Sequence, residues 1–369
     1  MRFAFFAATP PPGRLDGEEV VRMEMEATVQ RRALLWALGS LAALLAIHGI
    51  GSGGFHVKLT ELGYVIGTYL FVAGSTFRIV QWASRPGARM YLKGFVGRLK
   101  ERQAARKVGG VLVQNLAAQR FIYRRSAFRW VTHLAISWGC LLSFALTFPL
   151  VLGWLQFRFV EPMHYQVIAL GIPTITFPLG SPVAALAFNG LNLSALLLII
   201  GLTLAYVGRI RRRREFPEGR PDWDLMPLHM LMLVGLTGLA ITLDYKLLHG
   251  KTYLIWAVTH QVAVVVMLVW IPFSKLFHFL FRPLAVAIET YHTAEEQRAK
   301  QPCRMCQRPF ASERQVSDLA RVLGDEGFSQ PVVGEFGRPI PDREMIEYCP
   351  DCKRQIRARR YLHMEVNHA

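Results

Sequence analysis

Acidic side chains are scarce in this sequence: 26 Asp and Glu stand against 43 Lys and Arg, a formal charge of +17 over 369 residues. Such a balance ordinarily indicates nucleic acid. Here, however, the basic residues flank long apolar runs, 52% of the chain is hydrophobic and mean hydropathy is +0.25. That combination belongs to a polytopic membrane protein with basic loops and argues against a nucleic-acid partner. Cysteine is also sparse. Four of the five fall in two CxxC pairs, which points to a metal rather than a disulfide framework. Residues 1–32 lack an apolar run followed by a cleavage site, so no secretory signal is expected. Internal repeats, low-complexity tracts and hydrolase-like constellations are missing. The glycine pairs Gly53–Gly54 and Gly109–Gly110 lack the strand–helix setting of a nucleotide site.

Apolar length is what the chain has in abundance. Six stretches are long enough to span a bilayer: about 33–51, 62–82, 130–154, 191–208, 225–243 and 253–281. They are too long and continuous for barrel strands, so the expected fold is an all-α polytopic membrane helix bundle of about six spans. A further apolar stretch, 166–190, is broken by Pro173, Pro178, Pro182 and glycines, and reads as a loop on or in the membrane surface. Segment 83–129 holds twelve basic residues against one acid, Glu101, and "RIRRRREFPEGR" adds six; the opposite connections, 50–61, 156–190 and 244–252, hold four in total. By the positive-inside rule the chain is a multi-pass protein of the cell's inner (cytoplasmic) membrane with both termini cytoplasmic. The arginine run could also meet anionic lipid.

Four regions follow: a cytoplasmic segment 1–32, a first span and outer loop 33–61, a membrane core 62–283 and a polar cytoplasmic module 284–369. In the module Val316–Gly327 reads as a short helix. "CRMC" (Cys303, Cys306) and "CPDC" (Cys349, Cys352) lie 42 residues apart and can form one four-thiolate site. Structural Zn is the favoured occupant over Fe or an iron–sulfur centre. Cys140, alone among apolar neighbours, reads as packing.

Histidines inside the spans ask for an explanation, because imidazole in hydrocarbon is costly unless bonded or facing a cavity. "THQVAVVVMLVWIPFSKLFHF", residues 259–279, carries His260 and His278 eighteen positions apart. In one continuous helix that is five turns at about 100° per residue, so both share a face, roughly 27 Å apart at about 1.5 Å rise. Axial haem ligation suits such a pair, with a mate for each on another helix at the same depth. Antiparallel packing brings His133, one turn into its span, level with His278. His229 also lies near that edge. It could compete for the ligand position, contact a propionate or quinone, or simply be a buried polar residue. His260 lacks a clear mate: Ser143 stands ten residues beyond His133, and the outer candidates are His48, His164 and His249. The bland alternative is a histidine bonded to a carbonyl or water. Pro272 should kink the helix ahead of Lys275 and His278, aiming His278 inward. Lys275 can snorkel to headgroups or pair with a haem propionate.

At these residues the chain resembles a known family. "HQVAVVVMLVWIPFSKLFH" is similar to the last transmembrane helix of the gamma subunit of respiratory nitrate reductase and of the membrane cytochromes b in sulfite-reductase-associated and heterodisulfide-reductase-like complexes. The matching residues are His260, Pro272, Phe273, Ser274, Lys275, Leu276 and His278. "RWVTHLAISWGCLL" resembles their first haem helix at His133, Trp138 and Gly139, and "RPDWDLMPLHMLMLVGLTGL" resembles another at Asp224, Thr237 and Gly238. The resemblance covers roughly 62–283. It implies haem b, one or two, ligated by His133, His260 and His278; His229, His48 and Lys275 remain further candidates from their positions alone. It also implies electron exchange between quinone and a cytoplasmic iron–sulfur or other redox subunit. The chain departs from that family in two ways: Ser143 stands where the nitrate-reductase gamma subunit has a second histidine on its first haem helix, and 33–51 adds a span. Many relatives are also joined to, or encoded beside, an iron–sulfur subunit, and none of those cluster motifs is present. A metal-dependent scaffold or sensor that recruits a partner through the cysteines, and a transporter, are the alternative functions. Stand-alone catalysis is not expected.

Overall fold

The structure, a computed structural model, describes residues 17–54, 59–99, 102–212, 221–328, 331–333 and 338–366. Helices α1 (Gly17–Gly51) and α2 (Leu62–Ala83) lead into three shorter ones, α3 (Pro86–Leu99), α4 (Arg102–Leu112) and α5 (Arg120–Tyr123), and then into α6 (Ala127–Val151). A three-stranded antiparallel sheet follows, β1 (Leu155–Val160), β2 (His164–Ala169) and β3 (Ile172–Pro178), in that order. Next come α7 (Pro182–Arg212), α8 (Pro221–Leu247), α9 (Tyr253–Trp270) and α10 (His278–Glu296). The tail holds β4 (Lys300–Pro302), β5 (Pro309–Ser312), α11 (Glu313–Asp325), β6 (Pro331–Val333), β7 (Pro339–Glu344) and α12 (Pro350–Val366).

Six helical stretches among the described residues are long and apolar enough to cross a membrane: Met23–Gly51, Leu62–Ala83, Ala127–Val151, Pro182–Arg211, Leu225–Leu247 and Tyr253–Phe273. Large apolar side chains such as Leu35, Trp36, Leu70, Ile200 and Ile255 lie exposed on them, and lipid is the solvent such faces require. The chain is a multi-pass membrane bundle carrying a small four-cysteine module. Five spans close into a ring, α6 against α7, α7 against α8, α8 against α9 and α9 against α2, while α1 packs on α2. Gly139 and Gly201 permit the closest approach in this ring. A Cβ on Gly139 would sit 2.8 Å from the Leu198 backbone, and one on Gly201 would sit 2.7 Å from the Ile136 nitrogen. Any larger residue would force α6 and α7 apart, and in lipid that close backbone packing is a main source of helix association.

Two expectations need correction. The stretch 166–190 is not an irregular loop. It is strand over 166–169 and 172–178 and helix from Pro182 onward, with Phe157, Tyr165 and Phe177 packed around Phe188 of α7. Its prolines occupy positions that tolerate them: Pro173 and Pro178 lie in β3, an edge strand, and Pro182 opens α7. Nor is 253–281 one kinked helix. Helix α9 stops at Trp270, and two single 3-10 turns, Ile271–Phe273 and Lys275–Phe277, separate it from α10. Pro272 withholds an N–H, Ser274 is extended (φ −109°, ψ 175°), and its hydroxyl accepts from the Leu276 N–H at 3.1 Å. His260 and His278 therefore belong to different helices, and the shared-face argument for them does not hold.

The sheet caps one end of the ring. At the other end, α3 packs on α10 and α11, and Tyr91 meets Tyr291 edge-on at 5.3 Å. The module is tied to α10 by a buried bond and a half-buried one: Ser312 Oγ donates to Glu295 Oε2 at 2.7 Å, and Tyr291 Oη donates to Asp318 Oδ2 at 2.9 Å. The helix expected at 316–327 forms at Glu313–Asp325, started by a capping box between Ser312 and Gln315. Part of the arginine run, 213–220, and part of the segment 1–32 lie outside the described residues.

Candidate functional site

At the module end, the rings of His133 (α6) and His278 (α10) lie 6.4 Å apart between centres, their planes inclined at 62°. The level pairing expected from antiparallel spans is what the fold contains. His133 is half-buried and His278 exposed. His278 Nδ1 stands 2.8 Å from the Lys275 carbonyl oxygen, and His133 Nδ1 stands 2.7 Å from Gln119 Oε1. A carbonyl oxygen only accepts, so both Nδ1 atoms carry the proton. In neutral imidazoles each Nε2 is then a bare lone pair, the form a metal ion takes up. Lys275 thus meets His278 through its backbone, a contact its side chain gave no reason to expect.

The partner Gln119 was not legible in the sequence. It is fourteen residues from His133, across a turn without periodicity. A π-helical turn, Val113–Ala117, ends α4, and Gln119 then takes up a left-handed backbone (φ 51°, ψ 40°). This places a buried amide beside α6.

At the sheet end the arrangement is different. His260 (α9) lines a cavity of about 440 Å³ enclosed by α2, α6, α7, α8 and α9, with Tyr64, Cys140, Ser143, Phe144 and Met267 among its walls. Thr237 Oγ1 donates to the Leu233 carbonyl at 2.7 Å, so it accepts the Nδ1 proton of His260 at 3.0 Å. The ring lies close to the α8 backbone, where a Cβ on Gly238 would stand 3.1 Å from its Cε1. Among the described residues, His260 is the sole histidine on the cavity wall. Ser143 instead bonds Ser194 Oγ at 2.9 Å. The three histidines considered as mates sit elsewhere. His48 is buried with Nδ1 at 2.5 Å from Tyr69 Oη, His164 holds the Pro162 carbonyl in the sheet, and His249 is in an exposed turn. His229 is exposed and rests against Tyr206, 5.6 Å between ring centres.

The four thiols of Cys303, Cys306, Cys349 and Cys352 come together, their sulfurs all within 4.8 Å of one another, so the group could hold a metal ion. Cys303 and Cys306 occupy a tight turn leading to β5, closed by the Gln307 N–H donating to the Cys303 carbonyl at 3.0 Å, with Gln307 left-handed. Cys349 and Cys352 flank the first turn of α12. Around them pack Val332, Met345, Tyr348 and Phe310. Burial pushes the Cys303 thiol up, but N–H donors of Cys306, Cys349 and Met305 outweigh it and hold it at about 6. The backbone N–H and guanidinium of Arg308 pull Cys306 down, whereas burial and the neighbouring sulfurs push Cys352 up to about 12.

No family model, characterised protein or solved structure matches this chain. Its function rests on the geometry of these sites.

Proposed function

We propose that this chain is a membrane cytochrome b subunit that holds haem b between His133 and His278 and passes electrons between quinone in the bilayer and a cytoplasmic redox partner. The observation that carries this reading is the combination of one fixed tautomer on both rings with their spacing. A metal–imidazole bond is about 2.0–2.1 Å long and a ring centre lies roughly 1.1 Å behind its nitrogen, so two imidazoles across one ion have centres about 6.2–6.4 Å apart. The observed 6.4 Å fits that value. A bis-imidazole haem supplies reversible one-electron redox chemistry. The chain's own contribution is to hold both Nδ1 protons on oxygen acceptors and keep both Nε2 atoms available.

The sheet-end cavity supports a role in quinone binding. It is apolar, walled by spans, and offers few polar groups, of which the His260 imidazole and the Glu61 carboxylate can take the proton of a quinol hydroxyl. With no second imidazole among the described residues of its wall, it gives less support to a second bis-histidine haem. Orientation is supported by the twelve basic residues of 83–129, whose helix α3 packs against the module end. For the cysteine module, a Zn–S bond of about 2.3 Å puts tetrahedral sulfurs about 3.8 Å apart. The Cys306–Cys349 separation is 3.7 Å. A cluster of several irons would spread its cysteines farther, so a single ion is favoured, with zinc as the structural occupant.

The test is a difference spectrum of the purified full chain before and after a water-soluble quinol is added, together with iron and zinc analysis. A b-type α-band that rises on reduction is expected. A preparation without haem would leave a metal-dependent scaffold, built on the cysteine module, as the better reading.

A further inference from the structure

From the hydrogen bonding around α6 we infer that Gln119 is a positioning residue that sets the electron-donating strength of the His133 imidazole. This rests on the haem reading above and adds a residue that neither the spacing nor the resemblance indicated. Gln119 is 5% exposed and presents both ends of its amide to α6. Its Nε2 donates to Ser137 Oγ at 2.6 Å, and Ser137 in turn donates to the Leu134 carbonyl at 3.2 Å. With the serine proton committed to that carbonyl, Ser137 can only accept from Gln119. The amide is therefore oriented with its nitrogen on Ser137 and its oxygen on His133. A strong acceptor on Nδ1–H raises the basicity of the opposite nitrogen, the one that meets iron.

The backbone around Gln119 is built to hold it there. A non-glycine residue in the left-handed region is strained and persists only where its surroundings determine it. Two indoles of α6 do so. Trp130 Nε1 donates to the Ala118 carbonyl at 2.7 Å and Trp138 Nε1 to the Ala117 carbonyl at 3.2 Å, at the end of the π-helical turn. From the other side, α10 grips the same segment. The Arg282 guanidinium stacks 4.4 Å over Phe121, and Asn115 Nδ2 donates to Glu289 Oε2 at 2.5 Å. The loop that orients His133 is thus fastened to the helix that begins at His278. The arrangement is asymmetric: His278 is oriented by a backbone carbonyl, whereas His133 is oriented by a side chain that substitution can retune.

The experiment measures the haem midpoint potential of the full chain in Gln119→Glu, Gln119→Leu and Ser137→Ala, from about pH 6 to about pH 10 so that a buried carboxyl passes through its ionisation. Once its new carboxyl is ionised, Gln119→Glu should favour the oxidised form about tenfold, about 59 mV for one electron. Gln119→Leu should favour the reduced form severalfold. Ser137→Ala, which leaves the polypeptide's packing nearly intact, should move the potential in the same direction as Gln119→Leu by a smaller factor. Shifts of equal sign for Gln119→Glu and Gln119→Leu, or an unmoved potential in Ser137→Ala, would overturn the inference even if Gln119→Leu does not fold. A wild-type chain without haem overturns the parent reading as well, whereas haem with an unresponsive potential overturns this inference alone.

Discussion

The two ends of the bundle hold the same side chain under different conditions. At the module end, two imidazoles from different helices lie 6.4 Å apart, each with Nδ1 on an oxygen acceptor. At the sheet end a single imidazole, equally well oriented by Thr237, lines a cavity that has Ser143 and Cys140 on its wall and, among the described residues, no second histidine. A fixed tautomer is therefore not what distinguishes the ends. The difference is the second imidazole. One helix can orient a ligand, but a six-coordinate haem needs two at the same depth.

The largest effect should follow from breaking the pair. His133→Ala or His278→Ala should remove haem from the purified chain, measured as haem per polypeptide, while His260→Ala should leave most of it. Retention in either of the first two variants would place the iron elsewhere. Ser143→His sharpens the contrast from the opposite direction. It adds an imidazole to the His260 cavity and should raise haem content toward a second equivalent, and an unchanged content would mean the cavity does not admit the macrocycle.

Losing a metal ion held by the four cysteines should act on that unit alone. Structural zinc contributes about 10–16 kcal/mol of apparent binding energy in small domains. Cys349→Ser should therefore release the metal and make the tail sensitive to protease while the haem spectrum persists. Because thiolates bind the ion, acid should release it: protons compete for the sulfurs as pH falls, and affinity drops in that direction. The smallest effect expected is that of Gly139→Ala, where a methyl would meet the Leu198 backbone at 2.8 Å. Overpacking of this kind costs about 1–3 kcal/mol, visible as a lower thermal midpoint in detergent.

Much of this was readable in the residues. Span number and approximate ends follow from apolar length, and the actual helices depart from expectation mainly at their ends, where α7 begins at Pro182 rather than 191. The four-cysteine group follows from CxxC spacing, and the His133–His278 level from antiparallel spans. Other features depended on contacts that sequence does not encode locally. Pro272 announced a kink, but the full break came from Ser274 capping its own new turn. The prolines of 166–190 read as breakers because an edge strand and a helix start are known only once neighbours are placed. Gln119 left no signal, since its role depends on a left-handed turn and two indoles from another helix.

The most direct test is electron paramagnetic resonance of the oxidised, purified full-length protein. Two neutral imidazoles on one iron predict a low-spin ferric signal that disappears in both His133→Ala and His278→Ala. A high-spin signal in the wild-type protein, or none at all, would contradict the ligand pair.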